Sequence, residues 1–259
     1  MTHSFETIPT VQEKTASASH KYKPGPVYAV LPAAGSGSRM GAGCNKQFLE
    51  VGGLPLIIRT LMAFEQSHLI DGYVVVAAPD ELAEMAILIQ RFDMSKLLAL
   101  AEGGQTRQDS VLAGLRKVAA VRSDSSQAIA LVHDGARCFV TPSIIERCVV
   151  AIAERQAACG VAVPVKDTIK VVQPDGRVEQ TLDRDRIWSM QTPQGAYFAA
   201  LLSAYEQLAQ SGQRVTDDLA VMEAIGEPTY LVLGDYTNIK MTTPEDLVIG
   251  EVLAAKPGT

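Results

Sequence analysis

Arg39 and Lys46 stand close behind a small-residue loop that contains glycine, Pro32-Ala33-Ala34-Gly35-Ser36-Gly37-Ser38. A loop of this kind lets backbone N–H groups approach a polyphosphate without side-chain obstruction. The guanidinium and ammonium groups supply the positive charge that a transferring phosphoryl group needs. Two familiar phosphate fingerprints do not fit. Met40 occupies the place of the third glycine in G-x-G-x-x-G, and the strand-like run ending at Ala78 carries no terminal acid for a ribose. Lys46 is neither preceded by glycine nor followed by Ser or Thr, so there is no Walker A motif. A bare glycine turn is the plainer reading of the loop; the paired cations favour phosphate binding.

A second candidate is Asp134. It follows the apolar run Ala128-Ile129-Ala130-Leu131-Val132-His133, and Gly135 and Ala136 leave room beside it for a ligand. A carboxylate there can help hold Mg²⁺ that is bound mainly by phosphates. The competing reading is a turn-capping aspartate. His133 is given no catalytic task.

The elements that must position these groups are readable from periodicity. Residues 27–32 form a first buried strand, and Leu54 to Gln66 carries helical spacing with Leu56, Ile57, Leu61 and Phe64 on one face. Tyr73 to Ala78 is a second strand, and Pro79-Asp80-Glu81 opens a helix to about Arg91. Asp109 to Val121 is helical, the Ala128–His133 run is a strand, and Thr141-Pro142 starts a helix to about Ala158. Helices near 197–211, 216–226 and 244–256, with strand 230–233 among them, complete the chain. Alternation of this kind implies a Rossmann-like, mostly parallel sheet with helices on both faces. Ligands in such folds sit at the carboxyl ends of strands, where the loops after Pro32, Ala101 and His133 belong.

The alternation breaks between about 160 and 190. Val161–Val165 and Thr168–Val172 are β-like, Gln173-Pro174-Asp175-Gly176-Arg177 is a turn signal, and Val178 to Leu182 returns as a partner strand. A hairpin arm spanning about 164–186 therefore protrudes from the body. With little core of its own it needs something to pack on, and a second subunit is one answer.

At 259 residues and 47% hydrophobic content the chain is long enough for one large α/β domain or two small ones. Its net charge of −6 argues against nucleic-acid binding, which usually leaves a basic footprint. Cys44, Cys138, Cys148 and Cys159 form no C-x-x-C pair, which fits a reduced, cytoplasmic setting. The four histidines share no ligand spacing with them, so zinc is not expected. No apolar run is long enough to cross a bilayer. Residues 1–25, rich in Thr, Ser, Lys and Glu and lacking an apolar h-region, read as a disordered tail ahead of a domain over 26–259.

The loop and Lys46-Gln47-Phe48 together resemble the signature of the 2-C-methyl-D-erythritol 4-phosphate cytidylyltransferase family, and the resemblance runs over roughly 27–255. It recurs, in the family's order, at Gly103–Val111, Val132–Arg137, Lys166–Lys170, Thr181–Arg184, Gln191–Gln194, Thr216–Asp218 and Asn238–Lys240. The resemblance implies attack by a polyol phosphate on the α-phosphorus of CTP, with pyrophosphate leaving. Arg39 and Lys46 would contact the triphosphate as the catalytic pair. Pro32, Ala33, Ala34, Gly35, Gly37, Gly104 and Ser110 would line the nucleotide site, and Asp134 would lie near the ribose and Mg²⁺. Arg137, Thr168, Arg184, Thr192 and Lys240 would bind methylerythritol phosphate. A homodimer with embracing arms is implied, Thr168 and Arg184 then serving the neighbouring subunit.

Ser110 also reads as an ordinary helix-start serine, and Thr216 and Asp217 as a helix cap. One departure is Cys138, where the family commonly has proline; cysteine lacks the fixed φ of proline, so a looser Arg137 loop is expected. Two other functions remain open at this level: a cytidylyltransferase for ribitol 5-phosphate or another polyol phosphate, and a nucleotide-binding module without turnover. Pro32-Ala33-Ala34-Gly35 favours methylerythritol phosphate over ribitol, and retention of Arg39, Lys46 and Asp134 argues for turnover.

Overall fold

A computed structural model describes residues 25–35, 46–124 and 127–256. Residues 1–24 of the expected tail, together with Gly37, Arg39 and Cys44, lie outside these described residues.

The strands are β1 (Val27–Pro32), β2 (Glu50–Val51), β3 (Leu54–Pro55), β4 (Gly72–Ala77), β5 (Leu97–Glu102), β6 (Ile129–Val132), β7 (Ala158–Pro164), β8 (Lys170–Val172), β9 (Val178–Thr181), β10 (Trp188–Tyr197) and β11 (Thr229–Leu233). The α-helices are α1 (Leu56–Gln66), α2 (Leu82–Gln90), α3 (Arg107–Val121), α4 (Pro142–Arg155), α5 (Phe198–Ser211), α6 (Asp218–Ala224) and α7 (Pro244–Ala254). Seven strands form one sheet in the order β11-β7-β10-β6-β1-β4-β5. All neighbours run parallel except β10, which is antiparallel to both β6 and β7.

Alternation along β1 divides the core. Val27, Ala29 and Leu31 face α1, α2 and α4, meeting Ile57, Phe64, Met85 and Val149; Tyr28 and Val30 face α3, α5 and α6, meeting Leu115, Leu201 and Met222. Each fully buried Val, Leu, Ile, Phe or Met among them contributes about 1.5–3 kcal/mol by leaving water. Gly114 lets α3 lie flat on this second face, because a Cβ there would stand 2.3 Å from Val30 Cγ1. A third cluster joins α7 to the loop after β6 through Ala136, Cys138, Phe139, Met241 and Leu253. That loop is thus seated on core.

Local chemistry sets the helix ends. Thr106 accepts from Asp109 N–H while the Asp109 carboxylate accepts from Thr106 N–H, a capping box that begins α3 at Arg107. Thr141 caps α4 with Pro142 as its first residue, as the sequence indicates. This helix stops at Arg155, short of the expected Ala158, because Gln156 turns left-handed (φ 52°) and releases the chain into β7.

β8 and β9 pair only with each other, as a separate two-stranded sheet between β7 and β10. Val172 and Val178 on this hairpin are more than half exposed.

Candidate active site

The parallel strands β1, β5 and β6 all end at one edge of the sheet. Because β10 runs the other way, its first half reaches the same edge: Gln194 pairs with Val132, so Gln191 and Thr192 lie beyond the end of β6, beside Asp134. A cleft of about 280 Å³ opens there, lined by Arg107, Asp134, Arg137, Thr192, Thr216 and Lys240 among others.

Asp134 is the charge at its centre. Arg107 Nε donates to Asp134 Oδ1 at 3.0 Å, and Lys240 Nζ lies 2.6 Å from Oδ2. Burial would push this carboxyl up, but Arg107 and then Lys240 outweigh it and hold it well below the usual carboxylate range. Arg107 is itself gripped from behind: Nη1 and Nη2 donate to the two oxygens of Asp218 at 2.9 and 2.7 Å. Asp218 is 1% exposed and also accepts from the buried Tyr205 hydroxyl. Gln194 Oε1 fixes the start of α6 by accepting from the Asp218 and Leu219 N–H groups, both at 2.9 Å.

Beneath Asp134 runs a relay of neutral groups. Asp134 N–H donates to Thr192 Oγ1 at 3.1 Å, Thr192 Oγ1 lies 3.0 Å from His133 Nδ1, and His133 Nε2 lies 3.2 Å from the Arg137 carbonyl. A carbonyl only accepts, so Nε2 carries the proton and Nδ1 accepts from the threonine hydroxyl. Full burial of the ring lowers the His133 pKa to about 4, and Asp134 opposes this only in part. His133 therefore braces the Asp134 turn through the Thr192 hydroxyl.

Arg137 Nη1 donates to the Asn238 carbonyl at 2.8 Å and Nη2 to the Met190 carbonyl at 3.2 Å, while its buried Nε has no hydrogen-bond partner among the described residues. Its guanidinium makes no ion pair there, which leaves positive charge for an anion. The loop that carries Arg137 is tied by backbone hydrogen bonds. Arg137 N–H donates to the Asp134 carbonyl at 2.9 Å and Met241 N–H to the Ala136 carbonyl at 2.9 Å, and Cys138 is buried beside Phe139. Burial pushes the Cys138 thiol up to about 12, so it packs as a small neutral group.

The small-residue side lies along the same edge. Ala33 N–H donates to the Val76 carbonyl, Gly103 N–H to the Ala77 carbonyl and Gly135 N–H to the Pro32 carbonyl, which stitches together the ends of β1, β4, β5 and β6. Ala34 meets Gly103 so closely that a Cβ on that glycine would stand 2.6 Å from the alanine Cβ. Gly35 is exposed at the last described position of the loop. A Cβ on Gly104 would stand 2.3 Å from Asp109 Cβ, so glycine is needed there to fit against the α3 cap. Ser110 Oγ accepts from Gly104 N–H at 3.2 Å and donates to the Thr106 carbonyl at 2.9 Å. Both residues thus shape the turn, the ordinary helix-start role included. Lys46 opens a 3-10 turn whose next residue, Gln47, reaches toward Gly135. Asp217 caps α6, accepting from Ala220 N–H at 2.9 Å, and also borders the cleft.

Thr168 and Arg184 are exposed on the arm and do not line this cleft within one chain. The sequence reading passed over Arg107 and Asp218 as site residues. The signals were present: the Thr106/Asp109 capping box places Arg107 at the first turn of a helix facing the loops, and Thr216-Asp217-Asp218 marks a second helix start.

The family profile of 2-C-methyl-D-erythritol 4-phosphate cytidylyltransferase matches residues 27–256. The chain belongs to this family. The enzyme of that name from Geobacillus thermodenitrificans is 45% identical over 231 residues, covering 88% of this chain and 96% of the relative. That from Geobacter metallireducens is 42% identical over 226 residues, covering 87% and 96%. Among solved structures, the Thermus thermophilus enzyme of the same name has a TM-score of 0.71 at 32% identity, covering 88% of this chain and 98% of its own. The 4-diphosphocytidyl-2C-methyl-D-erythritol synthase of Anaerococcus prevotii has a TM-score of 0.77 at 28% identity, covering 89% and 96%. The chain is thus a nucleotidyltransferase of the non-mevalonate isoprenoid route, with the mixed, mostly parallel sheet of its relatives.

His133 gives this site a pH signature. Its folded pKa of about 4 lies below the ordinary 6.5, so the unfolded chain binds the extra proton between those values. The stability it contributes is complete above pH 6.5 and falls as pH drops toward 4, by about 3 kcal/mol in all. Urea midpoints measured from pH 7 to pH 4 should therefore decline, and the decline should flatten in His133→Gln. Equal slopes in the two proteins would contradict this account.

Proposed function

We propose that the cleft at the carboxyl edge is where CMP passes from CTP to 2-C-methyl-D-erythritol 4-phosphate, giving 4-diphosphocytidyl-2-C-methyl-D-erythritol and pyrophosphate. One observation carries the reading. Arg107, Arg137 and Lys240 converge around Asp134 in a cleft adjoining a tightly stitched edge of alanines and glycines. Cations suit an incoming phosphate, and a bare main-chain edge suits a flat base.

The nucleophile is an ionised phosphate at neutral pH, so no general base is required. The difficulty is to bring two anions together and hold the charge that builds up at phosphorus. Catalysis then rests on positioning and preorganised positive charge. Arg39 and Lys46 take the triphosphate, and each lowers the barrier by roughly 3–4 kcal/mol, the scale of a preorganised donor. Pro32, Ala33, Ala34, Gly35, Gly37, Gly104 and Ser110 hold the cytidine. Arg137, Thr192 and Lys240 take the methylerythritol phosphate, for which the Arg137 guanidinium, held by the Asn238 and Met190 carbonyls, is well suited.

Mg²⁺ fits this donor set in a limited way. Among the described residues no three His, Cys, Asp or Glu side chains converge on one point. Asp134 offers hard oxygens at the floor of the cleft, suited to an ion whose other ligands are phosphate oxygens and water. When bound, Mg²⁺ adds positive charge to the triphosphate.

The exposed β8–β9 arm supports a homodimer in which each arm crosses to the other subunit and delivers Thr168 and Arg184 to its cleft. No helix among the described residues is long and apolar enough to cross a membrane.

Three outcomes test these assignments. Purified protein given CTP, Mg²⁺ and a panel of polyol phosphates should release pyrophosphate fastest with methylerythritol phosphate. Faster release with ribitol 5-phosphate would reassign the substrate, and no release with any would leave a binding module. Lys46→Ala should lower kcat by two orders of magnitude or more, on the order expected of a lost transition-state donor, with little change in CTP affinity; near-normal kcat removes Lys46 from the mechanism. Mixing the impaired Arg184→Ala and Lys46→Ala subunits should raise activity above that of either alone in mixed dimers, because one cleft regains an intact Lys46 and a neighbour's Arg184. Verified mixed dimers without activity would place Arg184 in its own subunit's site.

A further inference from the structure

The arm is fastened at its root by a residue outside the arm. Tyr236 follows β11, and its hydroxyl donates to the Pro164 carbonyl, the last residue of β7, at 2.7 Å. The Lys166 ammonium sits 3.5 Å from the centre of the Tyr236 ring, a close cation–π contact. The tyrosine therefore grips the chain on both sides of Val165, where β7 gives way to the arm. Across the root, Val165 N–H donates to the Ile187 carbonyl at 3.0 Å, and Arg184 Nη1 reaches the Lys166 carbonyl at 3.4 Å.

The segment that carries Tyr236 is locked to the cleft. Gly234 N–H donates to the Ala162 carbonyl and Gln191 Nε2 to the Asp235 carbonyl, both at 2.8 Å. Two residues past the tyrosine, the fully buried Asn238 donates from Nδ2 to the Thr192 carbonyl at 2.9 Å, and its own carbonyl receives Arg137. Two residues further, Lys240 meets Asp134. Tyr236 itself is 45% exposed, so its contacts to Pro164 and Lys166 do not serve to fill the core.

We propose that Tyr236 is a positioning residue for the polyol-phosphate substrate: it sets the direction in which the arm leaves the body and so where Thr168 and Arg184 arrive in the neighbouring cleft. The inference rests on the crossed-arm reading above. It predicts an effect confined to one substrate, because the cytidine edge lies at the ends of β1 and β5 and the clamp touches neither.

The experiment is steady-state kinetics on Tyr236→Ala, Tyr236→Phe and Arg184→Ala. Tyr236→Ala should raise KM for methylerythritol phosphate about five- to tenfold, the scale of one hydrogen bond with one cation–π contact, and leave KM for CTP unchanged. Tyr236→Phe keeps the ring over Lys166 and should recover most of the loss. In mixed dimers of Tyr236→Ala with Lys46→Ala, the one working cleft receives an arm held by an intact Tyr236, so KM should return to the wild-type value. A KM that stays raised in the mixed dimer would show that Tyr236 acts on its own cleft and overturn the proposal. So would equal rises for both substrates, the mark of general loosening. If Arg184→Ala leaves KM for the polyol phosphate unchanged, the crossed-arm reading itself fails; if Arg184→Ala raises it and Tyr236→Ala does not, only the clamp fails.

Discussion

The ion pair between Arg107 and Asp134 is the contact on which the rest of the cleft depends. Burying a carboxylate is costly unless it is matched by positive charge and hydrogen bonds. Here Arg107 and Lys240 supply the charge, and Asp218 keeps Arg107 in place. The guanidinium bridges two acids, with two hydrogen bonds to the deeper one and one to that at the cleft. Its geometry is thereby set from the protein side, and Asp134 inherits that order. An arginine suits the position better than a lysine, whose point charge could not face both acids in fixed directions. The Tyr205 hydroxyl remains a donor because burial and the neighbouring Asp218 keep its proton on.

Sheet topology decides which side chains can meet there. Parallel strands alone would bring only their trailing loops to the edge. The reversed β10 adds a strand that starts at that edge, so Gln191 and Thr192 enter the site from backbone held in a ladder. Between Met190 and Gln194 the pairing register with β7 shifts, and Thr192 within this stretch turns its hydroxyl to the Asp134 N–H and the His133 ring.

Much of this was legible in the sequence. Apolar runs such as Tyr73–Ala78 and Ala128–Val132 announce buried parallel strands, and Thr141-Pro142 announces a helix start, because local sterics and hydrogen bonding decide those features. β10 was not legible: Trp188–Tyr197 mixes Ser, Gln, Thr and Pro with few aliphatic residues, and its place in the sheet comes from two neighbours far away in the chain. Asp134 was found because it follows a clear strand. Asp218 was not, since nothing local distinguishes it from the capping Asp217; only the fold shows that one caps α6 and the other anchors Arg107. The end of α4 was overrun by three residues because alanines favour continuation, whereas Gln156 turns left-handed so that Ala158 can pair with Thr229.

The arm leaves the sheet between two adjacent antiparallel strands. Pro164 and Trp188 are register partners, so the excursion begins and ends at a single rung of the ladder. In topological terms the whole arm is an elaborated hairpin tip. Its length can therefore vary through insertion or trimming while every rung below stays in step. Residues inserted or trimmed there leave the Gln194–Val132 rung, and the Thr192 hydroxyl beside Asp134, where they are.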